Sequence, residues 1–286
     1  LDRIATGRGA AVCAIETAKR LAISEAEHRI RGDFLDDLLN GRFPSSEAVY
    51  ARAAPLGYDF TRPHAVVIFE LDTSRAYLEW LRTHDERATH HLRQTFTAGI
   101  AEGLNRLRPG LPIRLTGETA TALIPLGDGI TSLDDVKALV ERVRQPVSTR
   151  LRDVTVSAGI GRIYREPTDL VRAYREAEQT LTIAFRLFGG NRTTAFDDLG
   201  IYRLLFHLQG TPELKSFYEE TLARLVEHDR AHGSALVPTL RAFFAAHGNL
   251  RRTAELLYLH RNTVAYRLER IEQLTGLRLD DEDDRF

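Results

Sequence analysis

At 286 residues the chain is too long for one typical domain, so we expect two. Its net charge of −1 argues against a protein that coats nucleic acid over its whole surface, although it allows one small basic patch. The one cysteine, Cys13, excludes an internal disulfide and suits a reducing cytoplasm, and no apolar run approaches the length of a membrane span.

The chain opens with a long amphipathic pattern. Apolar residues recur on one helical face from Ala10 to Leu39, and Asn40-Gly41 would end that helix. A helix of this length with small apolar residues on one side is typical of a connector or a dimer seam. The pattern fits equally well an amphipathic helix that packs on its own domain. Residues 1–56 are assigned to this segment.

Residues 57–198 alternate between strand and helix. The predicted strands are Ala65–Leu71, Ile113–Leu115, Thr121–Leu126, Val154–Ile160 and Thr193–Phe196, and the predicted helices are 85–107, 132–145 and Thr168–Phe188. The second and third strands form a hairpin across Gly117-Glu118. A hairpin between helix-linked strands predicts an α+β fold, a sandwich with a mixed or antiparallel sheet.

Two patterns in this region point only weakly to binding sites. Gly159-Ile160-Gly161 ends a strand, but it lacks the third glycine and the helix start of a dinucleotide-binding fingerprint. His84, His90 and His91 lack the HExxH spacing of a zinc site, so we expect three surface histidines. We therefore predict no metal and no cofactor.

Residues 199–286 are predicted to be all-helical. Leu199–Leu208 predicts a short helix, and Thr211-Pro212 supplies the N-cap and first residue of a helix that continues to Asp229. Another helix covers Leu236–Ala246. These helices would form the base for the two that follow. The tail beyond Leu277 is acidic, which predicts a solvated segment.

Residues 249–276 carry the strongest indication of function. Asn249 is suited to cap a first helix, and Gly276 is suited to end a second. The apolar positions fall into two stripes, separated by residues 258–260. The first stripe is Leu250, Ala254 and Leu257, and the second is Val264, Leu268, Ile271 and Leu274. A short helix, a tight turn and a longer second helix predict a helix-turn-helix.

The polar side chains of this segment suit a DNA groove. Arg can bind guanine through two hydrogen bonds, Asn can bind adenine in the same way, and the start of the first helix suits a phosphate. Five Arg against two Glu give residues 249–270 a charge of +3. The other interpretation is the solvated face of an ordinary helical hairpin. The candidate DNA-binding residues are Arg251, Arg252, Thr253, His260, Arg261, Asn262, Thr263, Tyr266, Arg267 and Arg270.

Three motifs in this C-terminal run identify a family: HRNT at His260–Thr263, YRLERIE at Tyr266–Glu272 and the acidic tail with Asp284-Arg285. Together they resemble the helix-turn-helix of the PucR/CdaR family of bacterial transcriptional regulators. In that family the second helix reads DNA. The resemblance therefore implies this role for Arg261, Asn262, Thr263, Tyr266 and Arg267. Ala265 departs from the pattern, because relatives often carry an Arg there that would add a contact.

The hairpin Gly117-Glu118-Thr119-Ala120 and Asp72 carry a second resemblance. With Ala122–Ile124 as the anchor of the alignment, residues 57–198 resemble the degenerate GGDEF-like domain of the same regulators, a relative of nucleotide cyclases. Active diguanylate cyclases carry two glycines and acids at this hairpin, and the lone Asp72 cannot hold two Mg²⁺ ions. The resemblance therefore implies a domain without catalysis, which is structural or dimerising, with Asp72 as a surface turn residue.

We accordingly predict a non-enzymatic transcriptional regulator that binds double-stranded DNA. It would comprise the linker helix and remnant of a missing N-terminal sensory domain (1–56), the GGDEF-like domain (57–198) and the helical DNA-binding domain (199–286). Because one helix-turn-helix contacts few base pairs, we expect a homodimer with the N-terminal helix or the middle domain as its seam. A small-molecule effector would act through the missing domain. The alternative is a nucleotide-binding or second-messenger receptor that acts through the GGDEF-like domain.

Overall fold

The computed structural model describes residues 29–72, 77, 85–151 and 154–281. The chain divides into two units, Leu1–Arg203 and Leu204–Phe286. Cys13 and most of the predicted N-terminal helix, His84, and the acidic tail beyond residue 281 lie outside the described residues. Across the described ranges, no helix is both long enough and apolar enough to cross a membrane. The domain limits expected from the sequence stay predictions.

A five-stranded mixed sheet forms the centre of the first unit and confirms the predicted α+β class. Its strands are β1 (His64–Leu71), β2 (Ile113–Thr116), β3 (Thr119–Pro125), β4 (Val156–Tyr164) and β5 (Thr193–Ala195). They lie in the order β2-β3-β1-β4-β5. All neighbours are antiparallel except β4 and β5, which are parallel.

Helices cover both faces of this sheet. They are α1 (29–39), α2 (Ser46–Ala53), α3 (Glu86–Leu107), α4 (Leu133–Leu151) and α5 (Leu170–Phe188). Side chains alternate along β1, so that Val67 packs with α3 and α4 while Val66 packs with α1 and α5. Helix α1 ends before Asn40-Gly41 as predicted, and its Phe34 is buried against the sheet of its own unit.

The predicted hairpin of β2 and β3 is present, with Thr116 paired to Thr119. Gly117 adopts a φ of 54°, which glycine allows at the first turn position. The Glu118 carboxylate accepts hydrogen bonds from the Tyr77 hydroxyl at 2.7 Å and from Arg93 Nη2 at 2.6 Å. Burial raises the pKa of Glu118, but the bonds from Arg93 and Tyr77 outweigh it and hold that pKa below its usual value.

Asp72 is buried, which corrects its prediction as a surface turn residue. Its Oδ2 accepts from Thr155 Oγ1 at 2.6 Å and from the Asn191 N–H at 2.7 Å. Gly190 lies so close that a Cβ there would overlap the Asp72 carboxylate. The sequence places Asp72 at a strand end, but it does not reveal that the segments before β4 and β5 close over that end.

Helix α4 extends beyond its predicted end at residue 145. Ser132 caps it as predicted, since its Oγ accepts from the Asp135 N–H at 3.2 Å. Pro146 lacks an N–H and would ordinarily stop a helix. The helix nevertheless continues to Leu151, because Val147 and Leu151 are both buried in the apolar core.

The Gly159-Ile160-Gly161 run has a packing role. Ile160 faces the core with α3 and α4, while the two glycines face α5. A Cβ on Gly161 would overlap the carbonyl oxygen of Ala173, and one on Gly159 would lie 2.5 Å from the carbonyl oxygen of Ala177. The glycines therefore let α5 lie against the backbone of β4.

The second unit is helical. Its elements are α6 (Tyr202–His207, which crosses the boundary), α7 (Pro212–Thr221), α8 (Ala223–His232), α9 (Leu236–Ala245), α10 (Leu250–Leu257) and α11 (Arg261–Thr275). The helix predicted from Thr211 to Asp229 is two helices that meet at Leu222, where φ widens to −118°. The segment after α11 is not wholly solvated as expected, since Leu279 is buried beside Leu225 and Ile271.

Candidate nucleic-acid interface

Helix α10 begins at the residue predicted to cap it. The Asn249 side-chain oxygen accepts from the Arg252 N–H at 3.0 Å. Such a cap satisfies one of the free amides of the first turn and stabilises a helix by about 1 kcal/mol. It fixes the point at which the chain enters the helix-turn-helix.

The turn that separates α10 from α11 is three residues long and begins with a left-handed residue. Tyr258 has a φ of 54°. Its N–H donates to the Glu255 carbonyl at 3.3 Å, and the Leu259 N–H donates to the Ala254 carbonyl at 3.0 Å. This pair of bonds is a Schellman ending, which reverses the chain over a few residues. His260 then caps α11, because its Nδ1 accepts from the Asn262 N–H at 3.2 Å.

The inner face of α11 confirms the predicted apolar stripe. Val264 and Ile271 are buried, and the half-buried Leu268 and Leu274 pack with Ile271 in the core of the unit. Gly276 ends the helix with a φ of 74°, as predicted, and its N–H donates to the Glu272 carbonyl at 2.8 Å. The stripe and the two caps orient α11 about its axis.

Helix α9, on which the helix-turn-helix packs, is stabilised by a carboxylate from the preceding helix, α8. Asp229 accepts from the backbone N–H groups of Leu236 and Val237 at 2.7 and 2.8 Å, and from Ser234 Oγ at 2.6 Å. Burial raises the pKa of Asp229, but these hydrogen bonds outweigh it and lower the pKa. The charge caps α9, on which α11 packs through Phe243 and Ile271.

The first turn of α11 projects polar side chains into solvent. Arg261, Asn262 and Thr263 are exposed, and Tyr266, one turn further, is 68% exposed. Because the inner stripe holds the opposite face, these side chains are free to enter a groove without repacking the core. Their donor and acceptor groups match those of base edges in the major groove.

The start of α10 offers exposed cations. Arg251 and Arg252 are exposed, and Arg251 Nε lies 3.2 Å from Glu255 Oε1. An ion pair in this position is worth little in water, so a phosphate can displace the carboxylate. The amides of the first turn add to the attraction for an anion.

Thr253 does not belong to this surface, which corrects one predicted contact. It is fully buried, and its hydroxyl donates to the Asn249 carbonyl at 2.8 Å. Thr253 directly precedes Ala254 and follows Leu250 by three residues, so it lies within the apolar stripe. Its hydroxyl is satisfied by the preceding turn, which allows burial.

Arg267 and Arg270 are half-buried and face outward less than the sequence suggests. Arg267 Nη1 donates to the buried Thr239 Oγ1 of α9 at 3.3 Å. Arg270 Nη1 donates to Gln273 Oε1 at 3.1 Å on its own helix. Arg267 lies between Val264 and Ile271 on the inner side of α11, which explains its direction.

Tyr258 is an exposed residue that the sequence analysis missed. It is 96% exposed and adjoins the N-terminus of α11. A non-glycine residue in the left-handed region costs roughly 1–2 kcal/mol, so a tyrosine here is not the choice that stability favours. The interruption of the apolar period at residues 258–260 was the available signal.

Comparison with known protein families matches two segments of the chain. The family described as the GGDEF-like domain matches residues 40–183, half of the chain. The family described as the PucR C-terminal helix-turn-helix domain matches residues 236–286. The second segment contains the whole surface described above.

Three curated proteins illustrate what the chain is similar to. The purine catabolism regulatory protein of Bacillus subtilis (strain 168) is 27% identical over 284 residues, 96% of this chain and 50% of that protein. The DNA-binding transcriptional activator AdeR of the same organism is 31% identical over 153 residues, 53% of this chain and 36% of that protein. The carbohydrate diacid regulator of Escherichia coli (strain K12) is 26% identical over 274 residues, 95% and 67% respectively. The chain thus spans only part of each, and half of the first.

Proposed function

The chain belongs to the PucR/CdaR family of bacterial transcriptional regulators, and from that premise we propose that it binds a specific operator, which α11 reads. One observation carries the proposal. The caps and the buried stripe of α11 leave its first turn exposed, with Arg261, Asn262 and Thr263 outward. In a helix-turn-helix this turn contacts base edges in the major groove.

The exposed residues divide into two roles. Arg261 and Asn262 are the base readers, because they form paired hydrogen bonds to guanine and adenine. Arg251 and Arg252 bind phosphates and set the position of the protein on the duplex. Thr263, Tyr266 and Tyr258 complete the surface, and His260 adds its Nε2–H when its ring is neutral, since Nδ1 is the capping acceptor.

The half-buried arginines have a supporting role in this proposal. Arg267 connects α11 to Thr239 of α9, so it holds the reading helix rather than a base. Arg270 lies further along α11, nearer to Gln273, and its positive charge favours the phosphate backbone.

The GGDEF-like unit is proposed to be non-catalytic. Its hairpin carries Thr119 and Ala120 at positions where active cyclases carry acids, and the acids that remain there have contacts within the fold: Asp72 Oδ2 accepts from Thr155 and Asn191, and Glu118 Oε1 accepts from Arg93 and Tyr77. Mg²⁺ ions that bind a nucleotide triphosphate are usually held by one or two carboxylates together with the phosphate oxygens, so the loss of the hairpin acids disfavours a two-metal site. Incubation with GTP and Mg²⁺ should give no cyclic dinucleotide above a heat-killed control, and a product above that level would overturn this part.

The regulatory setting is proposed from the relatives. Their names refer to purine catabolism and carbohydrate diacids, which supports control of a metabolic operon in response to a small-molecule effector. One helix-turn-helix covers too few base pairs to find a single genomic site, which supports a homodimer on a two-fold operator.

Selection of random duplex DNA with the purified chain, read by sequencing, tests the proposal. We expect an enriched motif with two inverted half-sites. The Arg261→Ala variant should enrich the same motif with one base position per half-site relaxed. A control, Arg230→Ala on α8, removes an exposed arginine outside the helix-turn-helix and should leave the motif unchanged. Absence of any enriched motif for the unaltered chain would contradict the proposal.

A further inference from the structure

One edge of the central sheet lies in a groove between two helices. Strand β2 pairs with β3 on one side and is the outermost strand of the sheet on the other. A pocket of about 480 Å³ is lined by β2, α1 and α3. Because α1 and α3 cover opposite faces of the sheet, a pocket that touches both must enclose the free edge of β2.

Two residues of β2 direct their backbone groups into this groove. The Pro112 carbonyl accepts from the Leu123 N–H at 3.0 Å, and hydrogen-bonded positions recur at every second residue of an antiparallel pair. Arg114 therefore bonds to β3, whereas Ile113 and Leu115 turn their N–H and C=O groups to the free side. No described residue donates to or accepts from those groups there. The edge thus offers two donors and two acceptors to an incoming strand.

Strand β2 lacks the features that usually protect a sheet edge. Natural proteins cover such an edge, or place lysine, proline or a bulge in it. None of the four residues of β2 is lysine or proline, and their pairing with β3 is regular. Its one charged side chain, Arg114, is neutralised by Asp36, to whose Oδ1 its Nη1 donates at 2.8 Å. The edge is therefore open to pairing with another strand.

An added antiparallel strand would place its side chains against two different walls of the groove. Residues that lie opposite each other across such a pair share one face of the sheet. Arg114 lies on the α1 side, where Asp36 holds it, and Ile113 packs with the core beneath α3. The strand residue opposite Arg114 would therefore face α1, and its two neighbours, opposite Ile113 and Leu115, would face α3.

The α1 wall of the groove is cationic, and the α3 wall is largely apolar. Arg31 of α1 is exposed, its guanidinium carbon lies 5.9 Å from the centre of the Tyr58 ring, and it pairs with no carboxylate of a described residue. On the α3 side the pocket is lined by Ala101, Asn105 and the half-exposed Leu115. The groove therefore fits an extended segment that carries an acidic residue between two apolar ones.

We propose that β2 binds such a segment of a partner protein as a sixth strand of the sheet. The backbone groups of Ile113 and Leu115 supply the hydrogen bonds, and Arg31 selects the acidic side chain. The site lies wholly within the first unit, so the proposal does not depend on the reading of DNA by α11. It gives the regulator a protein contact in addition to its operator.

Fluorescence polarisation of the full chain with a fluorescein-labelled peptide of sequence Thr-Val-Glu-Val-Thr is the first test. We expect saturable binding. N-methylation of both valines removes the N–H groups that would donate to β2 and should weaken binding at least about tenfold, because two hydrogen bonds are lost. This comparison leaves the protein unaltered, so it stays decisive if a protein variant misfolds.

Leu115→Pro tests the edge from the protein side. Proline removes the N–H that faces the groove and no hydrogen bond to β3, a position at which sheets tolerate it. Binding should weaken by about threefold to tenfold. The matched control, Leu115→Ala, shortens the side chain but keeps the N–H, and should bind more tightly than the proline variant. An unchanged circular dichroism spectrum checks folding.

A charge exchange tests the selection by Arg31. Arg31→Glu should disfavour the glutamate peptide and favour Thr-Val-Lys-Val-Thr, whereas Arg29→Glu, at an exposed position of the same helix outside the groove, should keep the original preference. Absence of saturable binding, or binding indifferent to N-methylation and to Leu115→Pro, would overturn the proposal.

Sedimentation velocity separates a second copy of the chain from a partner segment. A dimer that Leu115→Pro dissociates would assign the edge to another copy of β2 and would also overturn the proposal, whereas an unchanged state of assembly supports it. A chain that binds the peptide as expected but selects no DNA motif would contradict the proposed function and leave this site intact.

Discussion

The first unit buries two charged side chains, Asp72 and Arg144, whereas the first turns of α10 and α11 expose theirs. In the first unit Asp72 is closed in by Thr155 and Asn191, and the buried Arg144 donates to the Val156 carbonyl at 2.8 Å and to Asn191 Oδ1 at 2.6 Å. In the helix-turn-helix, Arg261 is exposed. The buried polar groups stabilise the fold, and the exposed ones are available to bind another molecule.

This difference predicts which property each substitution changes. Loss of an inward group leaves a buried partner unsatisfied and lowers the free energy of unfolding. Loss of an outward group has little effect on unfolding and a direct effect on binding. The predictions below run from the largest expected effect on stability to the smallest.

Gly161→Ala should give the largest loss. The new methyl group would overlap the Ala173 carbonyl and push α5 off the sheet, which should lower the free energy of unfolding by about 3 kcal/mol. Gly32→Ala is the matched control, since no atom lies within 4 Å of a Cβ there and its helix would gain about 0.5–1 kcal/mol. Urea denaturation of both variants is the measurement, and similar stabilities would contradict the packing role.

His64 should make the first unit sensitive to acid. Burial lowers the pKa of His64 to about 4, while its Nδ1 donates to the Arg62 carbonyl at 2.8 Å. In the unfolded chain the histidine pKa is about 6.5, so the unfolded state binds a proton more readily than the folded state does. The buried, neutral His64 therefore contributes fully to the free energy of unfolding above pH 6.5, and about 3 kcal/mol of that free energy is lost as the pH falls to 4.

The measurement is unfolding free energy against pH for His64→Gln and for the exposed His91→Gln. The His64 variant should lose the wild-type slope between pH 6.5 and 4, and the His91 variant should keep it. Parallel curves for all three proteins would exclude His64 as the source.

Two substitutions of Asp72 distinguish the loss of its charge from the loss of its hydrogen-bond acceptor. Asp72→Ala leaves Thr155 and the Asn191 N–H without their acceptor and should cost about 2 kcal/mol. Asp72→Asn keeps an oxygen for Asn191 and should cost less. Neither variant should change DNA affinity, measured by fluorescence anisotropy. A fully stable Asp72→Ala protein would show that this closure does not hold the unit together.

Tyr258→Gly should move stability and binding in opposite directions. Glycine accepts the φ of 54° at no steric cost, so the unfolding free energy should rise by about 1 kcal/mol. Loss of a ring beside the reading helix should weaken DNA binding by a comparable or smaller amount. If binding is unchanged while stability rises, Tyr258 does not contact DNA.

Local rules account for the parts of the fold that the sequence predicts. The cap at Asn249, the ending at Gly276 and the hairpin at Gly117-Glu118 depend on residues within a few positions of one another. The inner stripe of α11, which includes Val264, follows from a period of 3.6 residues alone. The helix-turn-helix was therefore located correctly as a segment, while its DNA contacts stay a prediction.

The predictions that the structure corrects failed because they depend on tertiary contacts. Thr253 counts as polar by residue type, yet the preceding turn satisfies its hydroxyl and allows burial. Arg267 turns inward because Thr239 of a separate helix offers an acceptor. Helix α4 passes Pro146 because the core contains its last turn, and Asp72 is covered by segments far along the chain. No pattern along the sequence contains these partners.

The most direct test of the central claim, that the first turn of α11 reads bases, is a salt titration of Arg261→Ala and Arg251→Ala on the selected operator and on scrambled DNA. Arg261→Ala should lose about 1–3 kcal/mol on the operator and little on scrambled DNA. Arg251→Ala should weaken both and lower the salt slope by about one unit for a lost phosphate contact. Equal losses on both DNAs for Arg261→Ala would contradict the claim.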